Sequence, residues 1–121
     1  MSDKRQYLRW SIYLPVKYKI EGQDAEFSSQ VKDISNGGIC ISDYLPRDIN
    51  LDIKIGMPGD IGDIRVRGKS VWQEETGGKE GRHLFSGIKF LTLSYSDKDK
   101  IYNYLYRYKR SELLNNWWVS V

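Results

Sequence analysis

Cysteine and histidine are almost absent from the 121-residue chain, which holds one of each, Cys40 and His83. A disulfide framework needs pairs of cysteines and a zinc cluster needs several such ligands, so both are excluded. A single domain of this length buries enough surface to fold without that support. A catalytic triad would have to use His83, which no serine nucleophile motif accompanies. We therefore expect neither an enzyme nor a cofactor or metal.

Long apolar runs and a strong charge of one sign are also missing. No run approaches the roughly 20 apolar residues that cross a bilayer, and the polar N-terminus lacks the apolar segment of a signal peptide. Together with the lone cysteine, this predicts a cytoplasmic protein without membrane insertion. The net charge is only +3, from 19 basic and 16 acidic residues. No DNA or RNA partner is therefore expected.

Short alternations of apolar and polar residues predict strands through most of the chain. From Ile12 to Ile20 the pattern has period two, and Pro15 suggests a sheet edge or a late start. The other predicted strands, separated by turn residues, are Glu26–Lys32, Ile39–Ser42, Leu51–Ile55, Asp63–Val66, Lys69–Glu74 and Leu84–Phe90. Six or seven such strands predict an antiparallel all-β sandwich or barrel, and closing a barrel removes exposed sheet edges.

The periodicity becomes helical after residue 95, which predicts a C-terminal helix. Ser96 can serve as its N-cap, with acidic Asp97 and Asp99 in the first turn. The apolar stripe expected to pack on the barrel consists of Ile101, Tyr104, Leu105 and Tyr108. We therefore divide the chain into an N-terminal arm (1–11), a barrel (12–95) and a helix with a hydrophobic tail (96–121). The Trp117-Trp118 tail either caps the barrel or forms a docking or dimer surface.

A basic segment, Lys4-Arg5-Gln6-Tyr7-Leu8-Arg9, lies just ahead of the first predicted strand. Solvated basic arms are common at N-termini. If ordered, however, Arg5 and Arg9 would present two planar guanidinium groups. Each can bind phosphate oxygens, or the O6 and N7 atoms of guanine, through two parallel hydrogen bonds.

A second segment, Asp33-Ile34-Ser35-Asn36-Gly37-Gly38, consists of typical turn residues. In extended backbone Asp33 and Ser35 would share one face while Ile34 points to the core. A carboxylate can accept hydrogen bonds from the N1 and N2 donors of guanine. The two glycines would permit a left-handed turn or the close approach of a ligand. Both a simple turn and a ligand site therefore remain open for this segment.

Taken together, Arg5-x-x-x-Arg9 and Asp33-x-Ser35-x-x-Gly38 resemble the RxxxR and D/NxSxxG motifs of PilZ domains, bacterial receptors for cyclic di-GMP. The likeness extends over nearly the whole chain, including Val71-Trp72 and Gly87-Ile88-Lys89-Phe90 before the closing helix. It implies a six- or seven-stranded antiparallel PilZ-type barrel that binds cyclic di-GMP on its outer surface.

The resemblance also implies a set of ligand-binding residues: Arg5, Arg9, Asp33, Ser35 and Gly38. Weaker candidates are Lys4, Asn36 and Trp72. The arginines would bind phosphates and guanine edges, Asp33 and Ser35 would read the guanine, and Gly38 would keep the turn open. Trp72 would either contact the ligand or cover the barrel.

The sequence is compatible with three functions. The first is a cyclic di-GMP receptor whose N-terminal arm becomes ordered on binding and which signals to an unidentified protein partner. The second is a PilZ-like adaptor that works through protein contacts without nucleotide. The third, which the concentration of tyrosines in the helix disfavours, is a barrel that binds single-stranded nucleic acid. The sequence leaves the ligand stoichiometry, the downstream target and homodimer formation open.

Overall fold

The computed structural model describes residues 10–35, 37–78 and 81–108. Its strands are β1 (Trp10–Ile20), β2 (Glu26–Ile34), β3 (Gly38–Ile41), β4 (Asn50–Ile55), β5 (Ile64–Gly78) and β6 (Gly81–Phe90). One helix, α1 (Tyr95–Tyr108), follows them. The predicted arm and tail lie largely outside the described residues. The strand β1 begins at Trp10, two residues before the predicted boundary between arm and barrel.

The six strands form a closed antiparallel barrel in the order β1-β2-β3-β6-β5-β4, which confirms the predicted fold class. Closure comes from pairing between β1 and β4, from Val16 opposite Ile55 to Ile20 opposite Leu51. Pro15 lies just beyond this ladder, so its missing N–H costs no hydrogen bond there. Its carbonyl accepts from the Gly56 N–H at 2.9 Å.

The two strands predicted at Asp63–Val66 and Lys69–Glu74 are one continuous strand, β5. The prediction of two separate strands was therefore wrong, and Gly68, which lies between the two predicted ranges, is inside β5. A Cβ on Gly68 would lie 2.6 Å from a methyl of Ile88 and 2.9 Å from one of Ile53. Glycine is present here because the barrel interior is crowded at this level, not because the strand ends.

Alternation along the strands fills the barrel interior. Leu14, Val16 and Tyr18 of β1 are buried, as their period predicts. Ile34, Ile39 and Ile41 lie in the same core with no accessible surface. The loop between β3 and β4 is tied down by buried serines, because Ser86 Oγ accepts from the Leu45 N–H at 2.8 Å and Ser70 Oγ from the Ile49 N–H at 3.0 Å. These buried hydroxyls are thus satisfied.

The helix α1 packs on the barrel through Ile101, Tyr104 and Leu105. Two details of the predicted helix were wrong. Ser94, not Ser96, is the N-cap, because its Oγ accepts from the Asp97 N–H at 3.1 Å and so satisfies the third residue of the helix. Tyr108 is exposed rather than buried; its ring lies against Tyr104, with centroids 5.1 Å apart, one turn beyond the buried stripe. In the described chain no helix combines the length and apolarity needed to span a membrane.

Candidate functional site

The Asp33–Gly38 segment connects β2 to β3. Asp33 is partly exposed on β2, opposite Ser11 of β1 and Cys40 of β3. Ile34 is fully buried, as expected. Trp10, which follows Arg9 in the sequence, pairs with Ile34, so the described chain enters the barrel beside this segment. Arg5, Arg9, Lys4 and Asn36 lie outside the described residues.

Ser35 is turned into its own loop. Only 2% of the residue is exposed, and its Oγ accepts from the Gly37 N–H at 3.2 Å. Its backbone N–H donates to the Gly38 carbonyl at 2.9 Å, and the Phe90 N–H of β6 donates to the Gly37 carbonyl at 2.9 Å. The loop is therefore closed by its own hydroxyl and fastened to β6. In this arrangement Ser35 does not share an open face with Asp33.

Gly38 has a structural reason to be glycine. A Cβ there would lie 2.0 Å from the carbonyl oxygen of Ile88, a distance at which backbone must move. Its φ is not in the left-handed region, so the predicted positive-φ turn does not occur at Gly38. The close approach that requires glycine is between β3 and β6 themselves.

Residues of four adjacent strands stand in one row on the side of the sheet that faces away from the core. Asp33 pairs with Cys40, Cys40 with Gly87, and Gly87 with Trp72, across β2, β3, β6 and β5. Directly opposite residues in antiparallel strands share a face. Cys40 alternates with the core residues Ile39 and Ile41, so this face points away from the core. At about 4.8 Å between strands the row spans about 14 Å.

Trp72 lies on the backbone of Gly87. A Cβ on Gly87 would meet the indole ring at 2.0–2.5 Å, so the ring occupies the space that a side chain would fill. A register shift in β5 between Ser70 and Trp72 accompanies this placement. We call the small residues Gly38, Cys40 and Gly87 the floor. All three are buried, with only 2% of Cys40 exposed, and the Trp72 ring covers the floor at Gly87. The half-buried Trp72 thus covers the barrel at Gly87 and also borders the floor, so its position is compatible with both roles considered for it.

Lysines border the floor. Gly38 pairs with Lys89 of β6, and Lys89 pairs with Lys69 of β5, which places two cations beside the row. On the other side Lys32 Nζ lies 3.8 Å from the centre of the Phe85 ring. The surface around the floor therefore combines a carboxylate, an indole and three ammonium groups. Such a set can bind a flat anionic ligand whose polar edge carries hydrogen-bond donors.

Sequence reasoning missed Cys40, Gly87, Lys69 and Lys89 as members of this surface. The signal that could have found Lys89 is its position in Gly87-Ile88-Lys89-Phe90, where it alternates with core residues and must face outward. The pairing of β3 with β6, which brings Lys89 to Gly38, has no local signal. Among the residues that the structure describes, no group of three or more His, Cys, Asp or Glu is arranged to hold a metal ion.

The described residues form a closed six-stranded antiparallel barrel with one helix, and the floor lies beside its β2–β3 loop. The sequence model of the PilZ domain family matches residues 3–107. The chain therefore belongs to the PilZ domain family, and the resemblance inferred from its motifs is confirmed. No curated protein sequence matches significantly.

Solved structures show the same fold. The PilZ domain of YcgR from Escherichia coli, solved with c-di-GMP, is 14% identical with a TM-score of 0.69, over 93% of this chain and 97% of that one. The c-di-GMP complex of MrkH from K. pneumonia is 15% identical with a TM-score of 0.73, over 91% of this chain and 53% of that one. The Bacillus subtilis inhibitor of motility MotI/DgrA is 18% identical with a TM-score of 0.65, over 91% and 53%. The chain thus spans about half the length of the latter two proteins, and at these identities the likeness is one of fold.

Proposed function

We propose that this protein is a receptor for cyclic di-GMP rather than an enzyme, and that the ligand binds on the floor between Asp33 and Trp72. The observation that carries the proposal is the row Asp33–Cys40–Gly87–Trp72, which places a carboxylate and an indole at opposite ends of two small, buried residues. Family membership supports it, as do the c-di-GMP complexes of YcgR and MrkH, which share the fold.

Each side chain has a chemical role in this proposal. Asp33 accepts hydrogen bonds from the N1 and N2 donors of a guanine. Trp72 offers a ring for stacking, and Lys89 and Lys69 attract the phosphates. Ser35 holds the β2–β3 loop closed beside Asp33, so that it acts on ligand binding through the position of that loop. Arg5 and Arg9 supply two further guanidinium groups, a contribution that stays a prediction.

Ordering of the N-terminal arm couples binding to signalling in the proposed mechanism. Fixing backbone costs about 1–2 kcal/mol per residue, so ordering five residues costs about 5–10 kcal/mol. One bidentate guanine contact contributes about 1–3 kcal/mol. Two base contacts therefore offset only part of the cost, and phosphate contacts must supply the rest. Ligand binding then relocates the arm and changes the surface shown to a protein partner in the cytoplasm.

The test is isothermal titration calorimetry of the purified protein, shown to be nucleotide-free, with cyclic di-GMP and with GTP. We expect binding of cyclic di-GMP in the low-micromolar range or tighter, which corresponds to about 8 kcal/mol or more. Arg9→Ala and Asp33→Ala should abolish it, whereas Asp24→Ala, an equal change at an exposed residue of the β1–β2 loop, should not.

The melting temperature of each variant separates binding from folding. Asp33→Ala should leave it nearly unchanged, since the side chain is partly exposed. A large loss of stability would instead make Asp33 a structural turn residue. If the folded, ligand-free protein shows no binding, the receptor proposal is wrong and the nucleotide-independent adaptor takes its place. Protection of residues 1–11 from proteolysis by the ligand would test the ordering of the arm.

A further inference from the structure

The outer face of β2, β1, β4 and β5 carries two neighbouring rows of charged side chains with different charge patterns. In one row Glu26, Lys19, Asp52 and Arg67 stand opposite one another in that order. Their charges alternate, so we call it the alternating row. Two residues further along the strands, Lys17, Lys54 and Arg65 stand opposite one another. We call this set the cation row.

The cation row works against the stability of the barrel. Like charges directly opposite in adjacent strands repel, whereas opposite charges attract. Arg67 in the alternating row lies 3.5 Å from Asp52 and 3.4 Å from Glu21. In the cation row only Lys54 has such a partner, Asp63, at 3.4 Å. Within the described part of the chain, Lys17 and Arg65 form no ion pair, and both are exposed.

The position of the cation row separates it from the proposed ligand site. The strand order places β1 and β4 across the barrel from β3 and β6, which carry the floor, and on the shared strand β5 Arg65 precedes Trp72 by seven positions. A groove of about 510 Å³ lies over the two rows, lined by five basic and two acidic side chains. A partner can therefore bind the cation row without touching the floor.

We propose that the cation row is a docking site for an acidic α-helix of a protein partner. Its three cations repeat at the strand spacing of about 4.8 Å. On a helix, carboxylates three or four residues apart have Cβ atoms about 5–6 Å apart, so a helix lying across the strands matches the row. A closed barrel offers no free strand edge for an added strand, which favours the helix.

The mixed charge of the groove favours a protein over a nucleic acid as its binding partner. Asp52 and Glu26 line the same groove and would repel a continuous phosphate backbone. An acidic helix with basic or neutral residues between its carboxylates accommodates them. The proposal therefore commits to a protein of mixed charge that presents an acidic stripe.

The experiment uses the double variant Lys17→Glu/Arg65→Glu, which converts the cation row to Glu–Lys–Glu. Because this row then alternates, the variant should melt at the same or a higher temperature than the wild type. Its matched control is Arg47→Glu/Lys98→Glu, the same charge change at exposed residues of the β3–β4 loop and α1. The probe is a labelled helical peptide with glutamates at i, i+4 and i+7, beside a peptide with glutamines at those positions and a mixed single-stranded DNA.

We expect the glutamate peptide to bind the wild type and the control, to lose about tenfold or more in affinity for the double variant, and to bind better than the glutamine peptide. Tighter binding of the DNA that is lost in the double variant would overturn the choice of a protein partner. An equal loss of peptide affinity in the control would show that only the net charge of the protein matters. Absence of peptide binding to the wild type would rule out the docking site. Cyclic di-GMP binding by the double variant should stay intact, so the outcome is independent of the proposed receptor function.

Discussion

Two outer faces of the same barrel differ in the size and charge of their side chains. The face over β3 and β6 is built on Gly38, Cys40 and Gly87, with Trp72 lying on the backbone. The face over β1 and β4 is built of long charged side chains in opposed rows. Both use the outward positions of strands whose inward positions fill one core. The shared core therefore does not explain the difference between the two faces, and each composition must be explained by what its residues contact.

The comparison separates two kinds of constraint. On the floor, glycine is demanded by the approach of a neighbouring strand at Gly38 and by an indole at Gly87. On the charged face the side chains of both rows are exposed or half-buried, so packing does not explain why the cation row holds three charges of one sign. A mutation on the floor should thus affect stability first, and a mutation in the cation row should affect binding first.

The largest expected effect is that of Gly38→Ala. The new Cβ would meet the Ile88 carbonyl oxygen at 2.0 Å, so β3 and β6 must separate. We expect a loss of about 1–3 kcal/mol or more in the free energy of unfolding, measured by chemical denaturation. Gly77→Ala is the control, since a Cβ there meets nothing within 4 Å. A Gly38→Ala protein as stable as the control would show that the floor is not packed as described.

The sequence predicted the barrel because alternation along each strand is a local signal, visible in Leu14, Val16 and Tyr18. It predicted the position of the motif residues Asp33, Ser35 and Gly38 around the β2–β3 loop for the same reason. It did not predict the burial of Ser35, because the hydroxyl closes a loop whose geometry depends on β6.

Pairing between distant strands was beyond local patterns. Gly38 and Lys89 are 51 positions apart by their numbers, yet they stand opposite each other. The same holds for Gly68, because the residues that crowd it, Ile53 and Ile88, come from other strands. The cation row likewise exists only once β1, β4 and β5 are in register.

Lys89→Ala and Lys17→Ala test whether the two faces differ in their contribution to cyclic di-GMP binding. If Lys89 attracts a phosphate of the ligand, its loss should weaken cyclic di-GMP binding about tenfold and reduce the dependence of affinity on salt. Lys17→Ala removes the same charge from the opposite face and should leave that affinity unchanged. Calorimetry at two salt concentrations measures both. Equal effects of the two substitutions would mean that the lysines act only through the net charge of the protein.

Placing a cation in the alternating row should have a smaller effect, on the stability of the protein. Asp52→Lys would leave Glu26 at the end of the alternating row followed by consecutive cations on β1, β4 and β5, and it removes the ion pair with Arg67. We expect a loss of about 0.2–1 kcal/mol in stability, which high salt should diminish. Glu26→Gln, which removes a charge at the end of the same row, is the milder control. An unchanged Asp52→Lys protein would show that opposed charges on this face do not influence stability, and it would weaken the argument from the cation row.

The smallest effect should come from an exposed ion pair that belongs to neither face. Arg107 of α1 lies 2.6 Å from Asp60 of the β4–β5 loop, and its hydrogen bond and charge lower the pKa of the Asp60 carboxyl from its ordinary value of 3.8. A carboxyl whose pKa is lower in the folded state stabilises the protein above its unfolded pKa, and this contribution is lost as the pH falls through the folded pKa. The melting temperature of Asp60→Asn should therefore be slightly lower than that of the wild type at neutral pH. The difference should fade as the pH falls below 3.8 and through the folded pKa. A difference that persists at low pH would show that the substitution acts through the loop backbone. The neutral-pH difference then gives the baseline for one exposed ion pair, against which the charge rows are judged.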